Sequence, residues 1–158
     1  MDENDPRYLR RAVELAAEAL AVGDEPFGSV LVTADGEVLF EDHDRVSDGD
    51  GTRHPELAIA RWASAHLPPE ERAAATVYTS GEHCPMYAAA HGWAGLGRIV
   101  YASSSAQLTE WLRAWGVPPG PVRSLPINDI VPDVPVEGPV PEPAEAVRAL
   151  QARAHGRV

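Results

Sequence analysis

Two short segments, separated by 30 residues, carry the residue types best suited to catalysis. The first is His54-Pro55-Glu56, in which an imidazole and a carboxylate lie two positions apart. The second contains Cys84, the only cysteine of the chain. Imidazole and thiolate are common zinc ligands, and a nearby carboxylate can carry protons to and from a substrate. Together the two segments predict a metal site in which Glu56 transfers protons.

Each segment also has simpler explanations. His54 could be a solvated side chain, Glu56 an acid that favours a helix start, and Cys84 a small buried hydrophobic residue. A further alternative makes Cys84 a nucleophile assisted by His54, because a helix start favours the thiolate. These alternatives stay open at the level of the residues alone.

The elements that position these segments follow from apolar periodicity and turn residues. Helices are predicted over residues 5–22, 54–66, 85–93, 105–115 and 143–155. Strands are predicted over residues 27–32, 37–41, 75–79 and 98–102, with a short edge strand within 125–131. Asp5 is the predicted N-cap of the first helix, and Asp35-Gly36 predicts a hairpin between the first two strands. Both chemical segments therefore lie at helix starts.

The later alternation of strand and helix predicts parallel pairing in a layered α/β sheet. The chain is expected to form a single domain over residues 1–158. Its motif-bearing core spans residues 5–115, and a segment with more than half of the 15 prolines, followed by a terminal helix, spans 116–158. The proline-rich part is expected to wrap the domain surface in extended conformation.

Composition limits the partners. The net charge is −11 and the chain contains no lysine, which opposes binding to a nucleic-acid backbone. No apolar run reaches the ~18 residues that a membrane span requires, and no signal peptide is evident. The expectation is a cytoplasmic protein with a small-molecule substrate, without a membrane and with nucleic acid disfavoured.

A set of motifs in fixed order gives the chain a family resemblance. The motifs are Pro26-Phe27-Gly28, His54-Pro55-Glu56, Thr79-Ser80-Gly81-Glu82, Cys84-Pro85-Met86 and the run from Trp93 to Tyr101. The chain resembles the cytidine deaminase-like superfamily, in the branch of guanine deaminases, tRNA adenosine deaminases and bacterial nucleoside deaminases, over residues 5–115. The resemblance implies a three-layer α/β/α sandwich with a five-stranded mixed sheet. It also implies homodimers, and a role for Glu82 in holding the loop before Cys84.

The resemblance implies a zinc-dependent hydrolytic deaminase of a small amino-purine or amino-pyrimidine base or nucleoside. Zn²⁺ would be held by His54 and Cys84, and Glu56 would be the catalytic proton shuttle. Phe27 and Trp93 would line the substrate pocket.

The chain departs from the pattern at Tyr87, where the resemblance implies a third ligand, a second cysteine. A phenol with a pKa near 10 is a poor zinc ligand, although bound zinc can lower that pKa. His83 could substitute if its ring turned inward, whereas His91 lies about 10 Å beyond Cys84 along a helix. The alternative function is therefore a pseudoenzyme or ligand-binding protein that has lost its catalytic zinc because of Tyr87.

The second departure is Asp44, at a position where the resemblance implies a substrate-binding asparagine. An ionised aspartate only accepts hydrogen bonds. It would favour a ligand with N–H or hydroxyl donors, or a cationic ligand, and would disfavour a carbonyl. The simpler explanation is a solvated loop acid.

Overall fold

The computed structural model describes residues 1–157. Its five strands form one mixed sheet in the order β2-β1-β3-β4-β5. The strands are β1 (Gly28–Val32), β2 (Val38–His43), β3 (Thr76–Gly81), β4 (Ile99–Ser103) and β5 (Val136–Glu137). β1 pairs antiparallel with β2 and β3, whereas β3, β4 and β5 pair in parallel. The predicted hairpin, the parallel pairing and the five-stranded mixed sheet are confirmed.

Helices cover both faces of the sheet within residues 1–157. They are α1 (Asp5–Ala21), α2 (Pro55–His66), α3 (Pro69–Ala74), α4 (Pro85–Ala94), α5 (Ser105–Ala114), α6 (Ile127–Ile130) and α7 (Pro141–Ala154), with a short 3₁₀ helix at Val46–Asp48. α1 and α7 share one core with the sheet, and α2 and α4 share the opposite one. The three-layer α/β/α arrangement is thereby confirmed. Among residues 1–157, no helix has the length and apolarity to cross a bilayer.

The central strand β1 links the two cores. All five of its residues are buried. Because successive side chains of a strand point to opposite faces, Val30 and Val32 enter the α1 core while Leu31 enters the α2 core. Gly28 begins the strand against α1, and a Cβ there would overlap the backbone at Ala12. The site-bearing helix α2 is therefore held against a fully buried strand.

The prediction of an edge strand within residues 125–131 is wrong. Pro126 instead precedes the short helix α6, and Ile127 is buried at its start. The fifth strand lies further on, where Val136 pairs with Ile99 of β4. A short apolar run fits a helix turn as well as a strand, and here tertiary pairing decides between them.

Asp5 does not cap the first helix. The helix begins at Asp5 itself, and the preceding Asn4 makes no side-chain cap hydrogen bond. The Asp5 carboxylate is fully buried and accepts hydrogen bonds from Tyr78 at 2.7 Å and from Arg98 at 2.6 Å. This ionic cluster links α1 to β3 and β4, through contacts too distant in sequence for local signals to predict.

Candidate active site

Glu56 lies in the first turn of α2 and is 2% exposed. Its Oε1 accepts hydrogen bonds from the hydroxyls of Ser29 at 2.6 Å and Thr79 at 2.7 Å. Its Oε2 is buried without a hydrogen-bond partner in the described residues. One carboxylate oxygen is therefore anchored by β1 and β3, and the other is free to exchange a proton.

Two opposing effects act on the pKa of Glu56. Burial raises this pKa above its ordinary value, while the hydroxyl donors from Ser29 and Thr79 lower it. The nearby His54 also acts to lower it, so the two residues are close enough to interact electrostatically. The net shift is upward, which brings the proton affinity of Glu56 closer to that required of a general acid and base near neutral pH.

His54 occupies the N-cap of α2 in extended conformation, with Pro55 at the first helical position. Proline suits that position because its fixed φ is helical and it has no N–H to satisfy. The His54 ring makes an edge contact with Tyr87, with 5.3 Å between the ring centroids. The predicted ligand thus stands at the start of α2 and faces α4.

Cys84 occupies the matching position at the N-cap of α4, followed by Pro85. Burial raises the pKa of its thiol, and hydrogen bonds from the backbone of Tyr87 and Met86 lower it without cancelling the rise. The charge of Glu56 raises it further. A protonated, partly buried thiol is a poor nucleophile, which argues against the alternative of nucleophilic catalysis by Cys84.

Tyr87 fills the space between the two helix starts. It is 4% exposed, and its ring contacts His54 and, at 4.9 Å between centroids, His83. Burial and the charge of Glu56 hold the pKa of its phenol well above 10. Tyr87 is therefore a neutral phenol packed by aromatic rings, in contrast to a thiolate.

The two other histidines of this region are also buried. His91 Nε2 is 2.7 Å from the carbonyl oxygen of Gly97, which ties it to the backbone away from the ligand positions. His83 packs between Tyr87 and His91, and its Nδ1 has no partner within residues 1–157. Burial holds the pKa of His83 well below 6.5, so the ring is neutral.

The side chains near His54 and Cys84 determine how many ligands a zinc ion would have at this site. Within residues 1–157, no three His, Cys, Asp or Glu side chains are grouped so that they could hold a metal ion. His54 and Cys84 are suitable donors, but neither His83 nor His91 joins them. Tyr87 occupies the position of the third ligand, and its side chain is a neutral phenol. The residues therefore fit a zinc ion with two ordinary protein ligands, one short of a three-ligand catalytic site.

Asp44 and Phe27 lie next to each other at the entry to the sheet. The backbone N–H of Asp44 donates to the carbonyl of Phe27 at 3.0 Å, and the half-buried Phe27 ring packs over Gly81. Asp44 is 1% exposed, which excludes a solvated loop acid. Burial, followed by the charges of Glu25 and Glu56, raises the pKa of Asp44 to about 8.

Trp93 does not lie with these residues. It is 92% exposed, on a surface formed by α2 and α4 that includes Ala60, Arg61 and Ala90. The inward face of α4 carries Tyr87, Ala88, His91 and Ala94, the buried residues of this helix. Trp93 falls on the opposite face, so the expectation that it lines the pocket around Glu56 is wrong.

Sequence reasoning missed the hydroxyls of Ser29 and Thr79. Both are polar residues at fully buried strand positions, and a buried polar residue usually signals a partner. Glu82 was expected to hold the loop, and its oxygens accept hydrogen bonds from the backbone N–H groups of Ser105 at 2.9 Å and Ile127 at 3.0 Å. Glu82 thus joins the loop before Cys84 to the starts of α5 and α6.

A buried carboxylate thus lies beside a His and a Cys at two packed helix starts, on a three-layer α/β/α fold. Residues 2–103 match the family described as "Cytidine and deoxycytidylate deaminase zinc-binding region", and the chain belongs to this family. It is therefore a deaminase of the cytidine deaminase family, a class that acts on bases or nucleosides.

Individual relatives support this assignment. The chain is 32% identical over 110 residues to a probable cytosine deaminase of Schizosaccharomyces pombe. These residues make up 70% of this chain and 67% of that protein. It is 35% identical over 109 residues to a guanine deaminase of Bacillus subtilis, covering 68% and 69% respectively. The structure of guanine deaminase from Nitrosomonas europaea has a TM-score of 0.73 over 94% of this chain and 83% of that one, and at 20% identity it supports the fold alone.

Proposed function

We propose that this protein is a zinc-dependent hydrolytic deaminase of a small amino-purine or amino-pyrimidine base or nucleoside. The observation that carries the proposal is the state of Glu56, whose Oε1 is anchored by two hydroxyls while Oε2 is buried and free. His54 and Cys84 are close enough for the charge of Glu56 to interact with both.

His54 and Cys84 would hold the zinc, with Tyr87 at the third position. Zinc, when bound, supplies a water whose pKa is lowered to about 7. The free Oε2 of Glu56 would take one proton from the attacking water and give it to the ring nitrogen, and would then carry the second proton, from the hydroxyl added to the ring carbon, to the departing amine. Ser29 and Thr79 keep the carboxylate oriented throughout. Phe27 offers a ring face on which a heterocycle can stack.

The substrate class follows from charge and site. Polynucleotide binding relies on neutralising phosphates with cationic side chains, whereas this chain carries a net charge of −11. The relatives named above, a probable cytosine deaminase and a guanine deaminase, point to amino-pyrimidines and amino-purines. A free base or nucleoside is therefore proposed, in preference to tRNA.

The test combines metal content with ammonia release. Zinc per chain is measured by elemental analysis, and ammonia release is followed with amino-purines, amino-pyrimidines, their nucleosides and a tRNA transcript. Glu56→Gln should lower turnover at least ~10²-fold, because the amide cannot carry the proton. Glu70→Gln, an exposed residue of α3, is the matched control and should leave turnover unchanged. Equal turnover by wild type and Glu56→Gln would refute the mechanism, and turnover of tRNA alone would refute the substrate class.

A second candidate is a ligand-binding protein on the deaminase fold, without stoichiometric zinc. It is favoured by the neutral, buried Tyr87 and by the incomplete donor set among residues 1–157. Near-zero zinc after incubation with excess metal, no ammonia release and calorimetric binding of an amino-heterocycle would together support it. One zinc per chain with ammonia release would exclude it.

A further inference from the structure

The side chain of Asp44 is held in place but left without a partner. Its backbone N–H is bonded to Phe27, and its carbonyl oxygen lies 2.9 Å from Nδ1 of the His43 ring. Both carboxyl oxygens are buried and have no hydrogen-bond partner within residues 1–157. Burial of a carboxyl group without a hydrogen-bond partner is unfavourable, and buried polar groups in folded proteins nearly always have one.

The surroundings of Asp44 add negative charge. The groups whose charges act on it are Glu25, Glu56, Asp24 and Asp42. The nearby guanidinium of Arg45 donates its hydrogen bond to Asp42, at 2.8 Å, and not to Asp44. The described fold therefore supplies Asp44 with acids and with no hydrogen-bonding cation. A ligand with a positive charge and N–H donors would complement this site.

The backbone N–H of Asp44 donates to Phe27, two residues before Ser29, whose hydroxyl donates to Glu56, and the charge of Glu56 acts on Asp44. Asp44 therefore belongs to the same buried region as the proton carrier. A ligand in contact with Asp44 would be close to Glu56 as well.

Resting on the function proposed above, we propose that Asp44 selects amino-heterocycles that present an amidinium edge, meaning an amino group beside a protonated ring nitrogen. Such an edge offers two adjacent N–H donors and a positive charge to the two carboxylate oxygens, in a bidentate, charge-assisted pair. The cationic edge would favour the ionised form of Asp44, which only accepts hydrogen bonds, whereas a ring carbonyl offers that form neither a donor nor a positive charge. Diamino-pyrimidines and diamino-purines satisfy this requirement, because the second amino group makes the ring nitrogen more basic.

Three pyrimidines isolate the contact. 2,4-Diaminopyrimidine, 4-aminopyrimidine and cytosine all have an amino group at position 4. At position 2 they carry an amino group, a hydrogen and a carbonyl, respectively. Their dissociation constants are measured by calorimetry with the full chain carrying Glu56→Gln, so that no ligand is turned over, with Asp44 unchanged, with Asp44→Asn and with Asp35→Asn. Asp35 is an exposed residue in the distant hairpin turn and gives the same chemical change away from the site.

With Asp44 present, the Glu56→Gln chain should bind 2,4-diaminopyrimidine at least about tenfold more tightly than either other compound, as expected for a charge-assisted pair. Asp44→Asn should reduce that preference to less than about threefold, and Asp35→Asn should preserve it. Cytosine binding as tightly as the diamino compound, an unchanged preference in Asp44→Asn, or no binding of the diamino compound would each overturn the inference. Because binding is measured without turnover, tight diamino binding with no ammonia release by wild type would refute the proposed function and leave this inference intact.

Discussion

The hydroxyl of Ser29 donates a hydrogen bond to Glu56 Oε1 across 2.6 Å, linking the central strand β1 to the first turn of α2. Both side chains are buried, so no water competes for this bond. Thr79 of β3 donates to the same oxygen. The orientation of the proton carrier is thus set by two neighbouring strands, and Oε2 is left as the exchanging atom.

Ser29→Ala should lower kcat/KM for ammonia release by about tenfold to a hundredfold. The variant removes one hydrogen bond to a carboxylate, an interaction of about 1.5–3 kcal/mol in a buried site. The matched control is Ser64→Ala, an exposed serine near the end of the same helix α2. If Ser29→Ala matched wild type while remaining folded, Ser29 would have no part in orienting Glu56.

Tyr87→Cys should give a protein that binds zinc more tightly than wild type, measured by competition with a chelator. The new thiolate would supply the missing third donor beside His54 and Cys84. Without metal, the lost aromatic ring should destabilise the variant by about 3 kcal/mol. Free zinc at about a thousand times its dissociation constant should restore about 4 kcal/mol.

Tyr87→Phe is the control for this experiment. It keeps the ring that packs on His54 and His83 and removes only the hydroxyl. Zinc content equal to that of wild type would show that the phenol is not a ligand. A clear loss of zinc in Tyr87→Phe would instead identify a phenolate ligand, against the raised pKa of Tyr87.

Local signals predicted the elements that carry the site. Pro55 and Pro85 mark the starts of α2 and α4, and Gly36, with a φ of +88°, closes the hairpin that Asp35-Gly36 predicted. These features depend on residues adjacent in the chain. The sequence therefore allowed His54, Glu56 and Cys84 to be placed at helix starts.

Contacts between distant residues could not be predicted in the same way. Arg98 reaches Asp5 across 93 positions, and Glu82 reaches Ile127 across 45. Neither pair has a local sequence signal. The outward position of Trp93 follows from the rotation of α4, which is fixed by the packing of Tyr87 and His91. A motif gives the order of residues along a helix, whereas tertiary packing decides which of them face the site.

Arg98→Leu should lower the free energy of unfolding in urea at pH 7 by about 3–5 kcal/mol. The substitution leaves the fully buried Asp5 carboxylate without its cation, and an unpaired buried charge is costly. Arg11→Leu is the control, because Arg11 pairs with Glu18 and Glu41 on an exposed surface and should cost at most about 1 kcal/mol. If the two substitutions lowered the free energy of unfolding equally, burial of Asp5 would not explain the effect of Arg98→Leu.

The same cluster predicts acid sensitivity. Burial acts to raise the pKa of Asp5, but hydrogen bonds from Arg98 and Tyr78 outweigh it and lower that pKa from 3.8 to about 2. A lowered carboxyl pKa stabilises the fold above pH 3.8, and this stabilisation is lost as the pH falls through about 2. Urea unfolding between pH 5 and pH 2 should therefore show a loss of stability that is smaller in Asp5→Asn, which has no titrating carboxyl there.

Asp44→Asn should stabilise the protein, and more so at higher pH. Burial and the neighbouring acids raise the pKa of Asp44 from 3.8 to about 8, so between these pH values the folded chain retains a proton that the unfolded chain releases. Each rise in pH across that interval then favours unfolding of wild type, and the destabilisation is complete above about pH 8. At about 1.36 kcal/mol per pKa unit, we expect Asp44→Asn to gain about 5 kcal/mol in free energy of unfolding at pH 8 and little at pH 4, and Asp35→Asn to gain nothing at either. A difference between Asp44→Asn and wild type that does not change with pH would show that Asp44 titrates normally, and would remove the support that its burial gives to a role in recognising cations.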